Sequence, residues 1–107
     1  MNKMFLLLLA IISSGLSSVE KINLYELYKE LHANPELSYQ EIETSNKLAN
    51  ILRNIGYEVT QNVGGNGVVA LLKNGVGKTI MLRADMDALP IQEKTRADYA
   101  STKKALD

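Results

Sequence analysis

Apolar residues recur with a helical period at the start of the mature chain. Leu24, Leu27, Tyr28 and Leu31 fall at i, i+3, i+4 and i+7, which predicts a helix from about Val19 to Ala33. Asn34-Pro35 stops it, because the residue before proline is pushed out of the α region. A second helix is expected from Ser38, where Ser38-Tyr39-Gln40-Glu41 matches the capping-box pattern. Ile42, Ser45, Ala49, Leu52 and Ile55 form its inward face, and Gly56 suits the position just past its end. The period then changes from 3.6 to 2. Tyr57–Val63 alternates, as a strand with one solvated face does. Gly64–Gly67 turns the chain, and Val68–Leu72 is apolar on both faces, as a doubly covered strand would be. After Asn74–Gly77, Thr79–Asp85 reads as a third strand, apolar at first and charged at its end. The pattern as a whole predicts an α/β fold in which two N-terminal helices pack on a partial, mixed β-sheet.

The segment before this pattern changes the picture. Lys3 precedes an unbroken apolar run from Met4 to Ile12, followed by Ser13-Ser14-Gly15-Leu16-Ser17-Ser18. The run is too short for a spanning helix, which needs about 20 apolar residues, and it reads as a secretory signal. Gly15 and Ser17 place small residues suitably for a cut after Ser17, so residues 1–17 are expected to be a signal peptide and the protein periplasmic or extracellular. An uncleaved interfacial anchor or a buried helix is the other use of such a run. The 12 basic and 12 acidic residues balance, which gives no electrostatic reason to expect nucleic acid or an anionic membrane as partner. There is no cysteine, hence no disulfide to reinforce the one small domain that residues 18–107 could form.

Two glycine-rich stretches resemble phosphate-binding loops and fail on context. Gly77-Lys78-Thr79 would need glycine at position 72, which is leucine, and a following helix where a strand is expected. Gly65-Asn66-Gly67 fits a loose dinucleotide fingerprint, but the run after it is strand-forming and too short for the required helix.

Asp85-Met86-Asp87-Ala88-Leu89-Pro90 is the stretch with chemical content. Side chains at i and i+2 of a strand share a face, which would set both carboxylates about 7 Å apart at the strand's carboxyl end, where open α/β sheets place ligands. The plainer reading is a strand end entering water with Arg83 as an ion-pair partner, and spacing alone does not separate the two. His32, the only histidine, ends the first helix, where it can interact with the helix dipole. No second histidine or cysteine is available to join it as a metal ligand.

His32-Ala33-Asn34-Pro35-Glu36-Leu37-Ser38 with Glu41 resembles a stretch near the start of the M20 family of metallopeptidases and amidohydrolases. Leu82-Arg83-Ala84-Asp85-Met86-Asp87-Ala88-Leu89-Pro90-Ile91 is similar to a signature of its branch that hydrolyses N-acyl amino acids, hippurate and auxin conjugates, and Glu93, Thr95 and Tyr99-Ala100-Ser101 extend the match. The resemblance implies that residues 18–107 are the N-terminal part of an amidohydrolase catalytic domain. It implies a two-metal site of zinc or manganese that activates water against an amide carbonyl of a small N-acyl amino acid or peptide. It makes Asp87 a supporting residue of the active-site floor and puts Asp85 where related peptidases carry a metal-binding histidine. The family's ligands come mainly from a Cys-Gly-His-Asp stretch and later residues, which Thr102–Asp107 does not lead into. The expectation is therefore a truncated or split reading frame that binds no metal and is inactive alone, with room for association with a separately encoded C-terminal part. The alternative is a small exported binding domain that pairs through an open sheet edge.

Overall fold

The computed structural model describes residues 21–104, so the expected signal peptide lies outside the described residues. Helix α1 spans Leu24–Ala33. Asn23 caps it, its side-chain oxygen accepting from the amides of Tyr25 and Glu26 at 3.2 Å each, so this helix starts at Leu24; the expected start at Val19 lies outside the described residues. The expected stripe is only partly used: Leu27 and Leu31 are half-buried, whereas Leu24 and Tyr28 are exposed.

Helix α2 spans Ile42–Asn54, and its start corrects the expected capping box. Ser38 and Tyr39 lie in a turn closed by Gln40 N–H to the Leu37 carbonyl at 2.9 Å, with Tyr39 at φ 65°. That turn delays the helix until Glu41 becomes its N-cap residue, and Glu41 makes no side-chain capping bond. The orphan amides of the first turn are met from further upstream. Glu36 accepts from Glu43 N–H at 3.1 Å through Oε1 and from Thr44 N–H at 2.7 Å through Oε2. Burial pushes the Glu36 carboxyl up, but these amides and the Thr44 hydroxyl outweigh it and hold it below the usual carboxylate range.

The other end of α2 follows expectation. Gly56 adopts φ 95°, its N–H bonds the Arg53 carbonyl at 3.0 Å, and Tyr57 N–H bonds the Leu52 carbonyl at 3.0 Å. This is a Schellman ending, which needs a left-handed residue where glycine stands.

Strands β1 (Glu58–Val63) and β2 (Gly67–Leu71) form an antiparallel hairpin. Gly64, Gly65 and Asn66 make its turn, so the dinucleotide-like stretch is a hairpin turn. Gly67 sits so close to Val63 that a Cβ would lie 2.2 Å from the Val63 carbonyl oxygen. The register pairs Val59 with Ala70 and Gln61 with Val68, and these half-buried residues share the face toward α2. Arg53 and Asn46 of α2 both bond the Gln61 side chain, at 2.6 and 3.0 Å. Ala49, Ser45 and Thr44 of α2 are buried; Ile42, expected on the inward face, is 58% exposed.

The α/β class stands, with parallel pairing confined to one isolated bridge between Leu37 and Ala88. The third strand does not form among the described residues. Thr79–Asp85 has no ladder partner there, and Ile80, Met81 and Leu82 are 86, 85 and 94% exposed. The far face of β2 is likewise open at Val69 and Leu71, so the covering that an all-apolar strand calls for is not supplied by the described residues. No helix among the described residues is long and apolar enough to cross a membrane.

Glu36→Ala is expected to lower stability by about 1–2 kcal/mol, whereas Ser38→Ala should stay within about 0.5 kcal/mol. Urea denaturation of the two variants checks this; an equal loss in both would restore the serine cap.

Candidate functional site

The turn that carries Glu36 also carries the chemistry-bearing segment. Ala88 N–H donates to the Glu36 carbonyl at 2.8 Å, and the Leu37–Ala88 bridge sits beside that bond. The two sequence motifs are thus joined through their backbones, and Asp87 is placed one residue from the joint. Between the motifs runs a groove of about 1150 Å³, half open, whose lining includes His32, Glu36, Asp85, Asp87, Glu93 and Lys103.

Inside it, the predicted residues are arranged differently from a strand end. Asp85 and Asp87 are both exposed, and without a strand the period-2 argument for a shared face does not apply. Asp85 pairs with Arg83, Nη2 to Oδ1 at 2.5 Å, which is the plainer of its two readings. Both side chains of that pair are largely in water, so it contributes little to stability. Asp87 makes no hydrogen bond or ion pair among the described residues.

His32 sits in the last turn of α1, as expected, but its partner is a side chain distant in sequence. Its Nε2 lies 2.8 Å from Oε1 of Glu93, and the ring meets Tyr99 edge-on at 5.3 Å and Tyr28 at 5.7 Å. Glu93 also accepts from the Thr95 hydroxyl and from Ser101 N–H, the latter at 2.7 Å. The Thr95 hydroxyl, the His32 ring and the Ser101 amide together hold the Glu93 carboxyl down at about 2. Composition and spacing gave no sign of this cluster; the available signal was that Glu93, Thr95 and Ser101 all fall within the second motif's extension.

Comparison with known proteins gives this geometry its context. The chain is 49% identical over 76 residues to hippurate hydrolase of Campylobacter jejuni, a match covering 70% of this chain and 20% of that protein. It is 40% identical over 76 residues to IAA-amino acid hydrolase ILR1-like 2 of Arabidopsis thaliana, covering 71% and 17%. It is 40% identical over 93 residues to N-acetyl-L-cysteine deacetylase of Bacillus subtilis, covering 86% and 22%. The chain is related to the M20-type amidohydrolases. It spans about a fifth of the length of these curated relatives. No family model and no solved structure matches it.

The relationship implies a divalent metal, and the donor set can be tested against that. No three His, Cys, Asp or Glu side chains come together as a metal would need among the described residues. The one imidazole is engaged by Glu93, and Asp85 is engaged by Arg83. These residues by themselves do not fit a two-metal centre.

Zinc or manganese titrated calorimetrically into the chain should bind no tighter than about the millimolar range, near −4 kcal/mol. Micromolar binding abolished by Asp85→Asn would contradict this.

Proposed function

We propose that this chain supplies the N-terminal part of an exported, metal-dependent amidohydrolase domain that acts on the amide bond of N-acyl amino acids or small peptides, and that it does not hydrolyse by itself. The observation that carries the reading is the extent of similarity: relatives 40–49% identical over 70–86% of the chain. The compounds named in those relatives share one piece of chemistry. Hippurate, IAA–amino acid conjugates and N-acetyl-L-cysteine each join an acyl group to an amino acid through an amide.

In this reading Asp87, next to the Ala88–Glu36 joint, supports the floor of the site, and Asp85 borders it. The ligands for zinc or manganese come from residues other than those described, because the one imidazole is paired with Glu93, Asp85 is paired with Arg83, and no three His, Cys, Asp or Glu side chains gather among the described residues. A separately encoded C-terminal part is one source. A second reading, a small exported binding domain, is favoured by one observation: among the described residues β2 pairs with β1 alone, and its open face exposes Val69 and Leu71. Such edges accept a strand from another chain.

Protein recovered from the exported fraction tests the proposal. Its mass should correspond to a chain beginning at Ser18, and with zinc or manganese it should cleave a hippurate-type amide no faster than the metal alone. An intact Met1 in the cytoplasm would refute export, and turnover lost in Asp85→Asn would make the chain an enzyme in its own right.

A further inference from the structure

The segment after Pro90 runs as a strap along one wall of the groove, and its attachment is concentrated in one place. Within the strap, Ser101 N–H and the Thr95 hydroxyl both bond Glu93, Ala97 N–H bonds Thr95 Oγ1 at 3.3 Å, and Ala100 N–H bonds the Ala97 carbonyl at 3.0 Å. Across to α1, the strap is held by the Glu93–His32 contact, with a side-chain hydrogen bond between Tyr99 and Tyr28 beside it. It is backed by the aromatic packing of Tyr99 against Tyr28 and His32, with centroids 5.7 and 5.3 Å apart. One carboxylate therefore both folds the strap and fastens it.

We propose that Glu93 and His32 form an acid-released latch that holds residues 93–101 against α1 and so sets how open the groove is.

The groups around the latch define what else could titrate. From α1 it is faced by His32 and Tyr28, and from the strap by Thr95, Asp98, Tyr99 and the Ser101 amide. Glu36, Asp85, Asp87, Lys103 and Lys104 line the groove beyond. Glu93 accepts three hydrogen bonds, so protonating it removes acceptor capacity at the centre of the cluster. The sign follows from its depressed carboxyl. A group held at about 2 when folded, against about 4.3 in an unfolded chain, stabilises fully above the unfolded value. That contribution fades as pH falls toward 2. His32 can donate from Nε2 either as the neutral Nε2–H tautomer or as imidazolium, so the contact does not require a charged ring.

The latch itself does not depend on the amidohydrolase reading. Its role in admitting substrate does, because that rests on Asp87 belonging to the site floor. Hydrogen exchange tests the latch separately from hydrolysis assays. Exchange rates at Ser101 and Tyr57, corrected for the intrinsic pH dependence, are measured from pH 7 to about 2.5. Tyr57 N–H, in the α2 ending, reports whether the helix and hairpin are folded. Ser101 protection should fall roughly tenfold between about pH 4.5 and 2.5 while Tyr57 stays protected. Glu93→Gln should show that faster Ser101 exchange at every pH, and Thr95→Val a smaller increase. If either variant loses Tyr57 protection as well, the wild-type titration decides. Ser101 exchange that is unprotected at pH 7, or unchanged in acid while Tyr57 is protected, overturns the latch. Equal Ser101 rates in wild type and a folded Glu93→Gln do the same.

Discussion

Glu36 is the residue through which the described fold is joined. Its carboxylate terminates the free amides of α2, and its carbonyl takes the Ala88 N–H. One residue thus fixes where the helix that covers the hairpin begins and where the Asp85–Pro90 stretch runs. The two demands are compatible because the Ser38–Tyr39 turn separates the Leu37–Ala88 bridge from α2 along the chain, and each carboxylate oxygen of Glu36 takes one amide of the first helical turn. A carboxylate at a helix N-terminus also meets the positive end of the dipole, so the contact gains in charge as well as in hydrogen bonding.

Polar fastening of this kind matters because burial is sparse. Ala49 is the apolar side chain that is fully buried among the described residues, flanked by Ser45 and Thr44. Side-chain bonds do much of the joining: Gln61 to Arg53 and Asn46, Asn66 to Glu41, and Glu93 to His32. Meanwhile Ile80, Met81 and Leu82 and the outer face of β2 are left in water. Exposed apolar strand-formers of that sort are found where another layer or strand is meant to pack. That asymmetry agrees with a segment that matches about a fifth of each relative's length.

What was legible in the sequence is what depends on local chemistry. The existence of α1, the glycine that ends α2 and the hairpin around Gly64–Gly67 are each set by neighbouring residues, and each is present. The capping box misled because Ser38 satisfies the pattern but not the geometry; the real cap, Glu36, lies outside any window that pattern examines. Thr79–Asp85 has strand composition, yet a strand exists only with a ladder partner, and composition does not supply one. Asp85 and Asp87 stand out in the sequence by their spacing and the family motif, whereas the Glu93–His32 pairing joins residues 61 apart and no periodicity encodes it.

The cross-brace between the two motifs is the central claim, and the absence of cysteine makes it directly testable. Leu37 and Ala88 are bridge partners, so their Cα atoms lie within the span a disulfide accepts. The double variant Leu37→Cys, Ala88→Cys, oxidised under native conditions at low protein concentration, should form an intramolecular disulfide nearly quantitatively, seen as a loss of two mass units and of both free thiols. Thiols that stay reduced, or that link only between chains, would contradict the account.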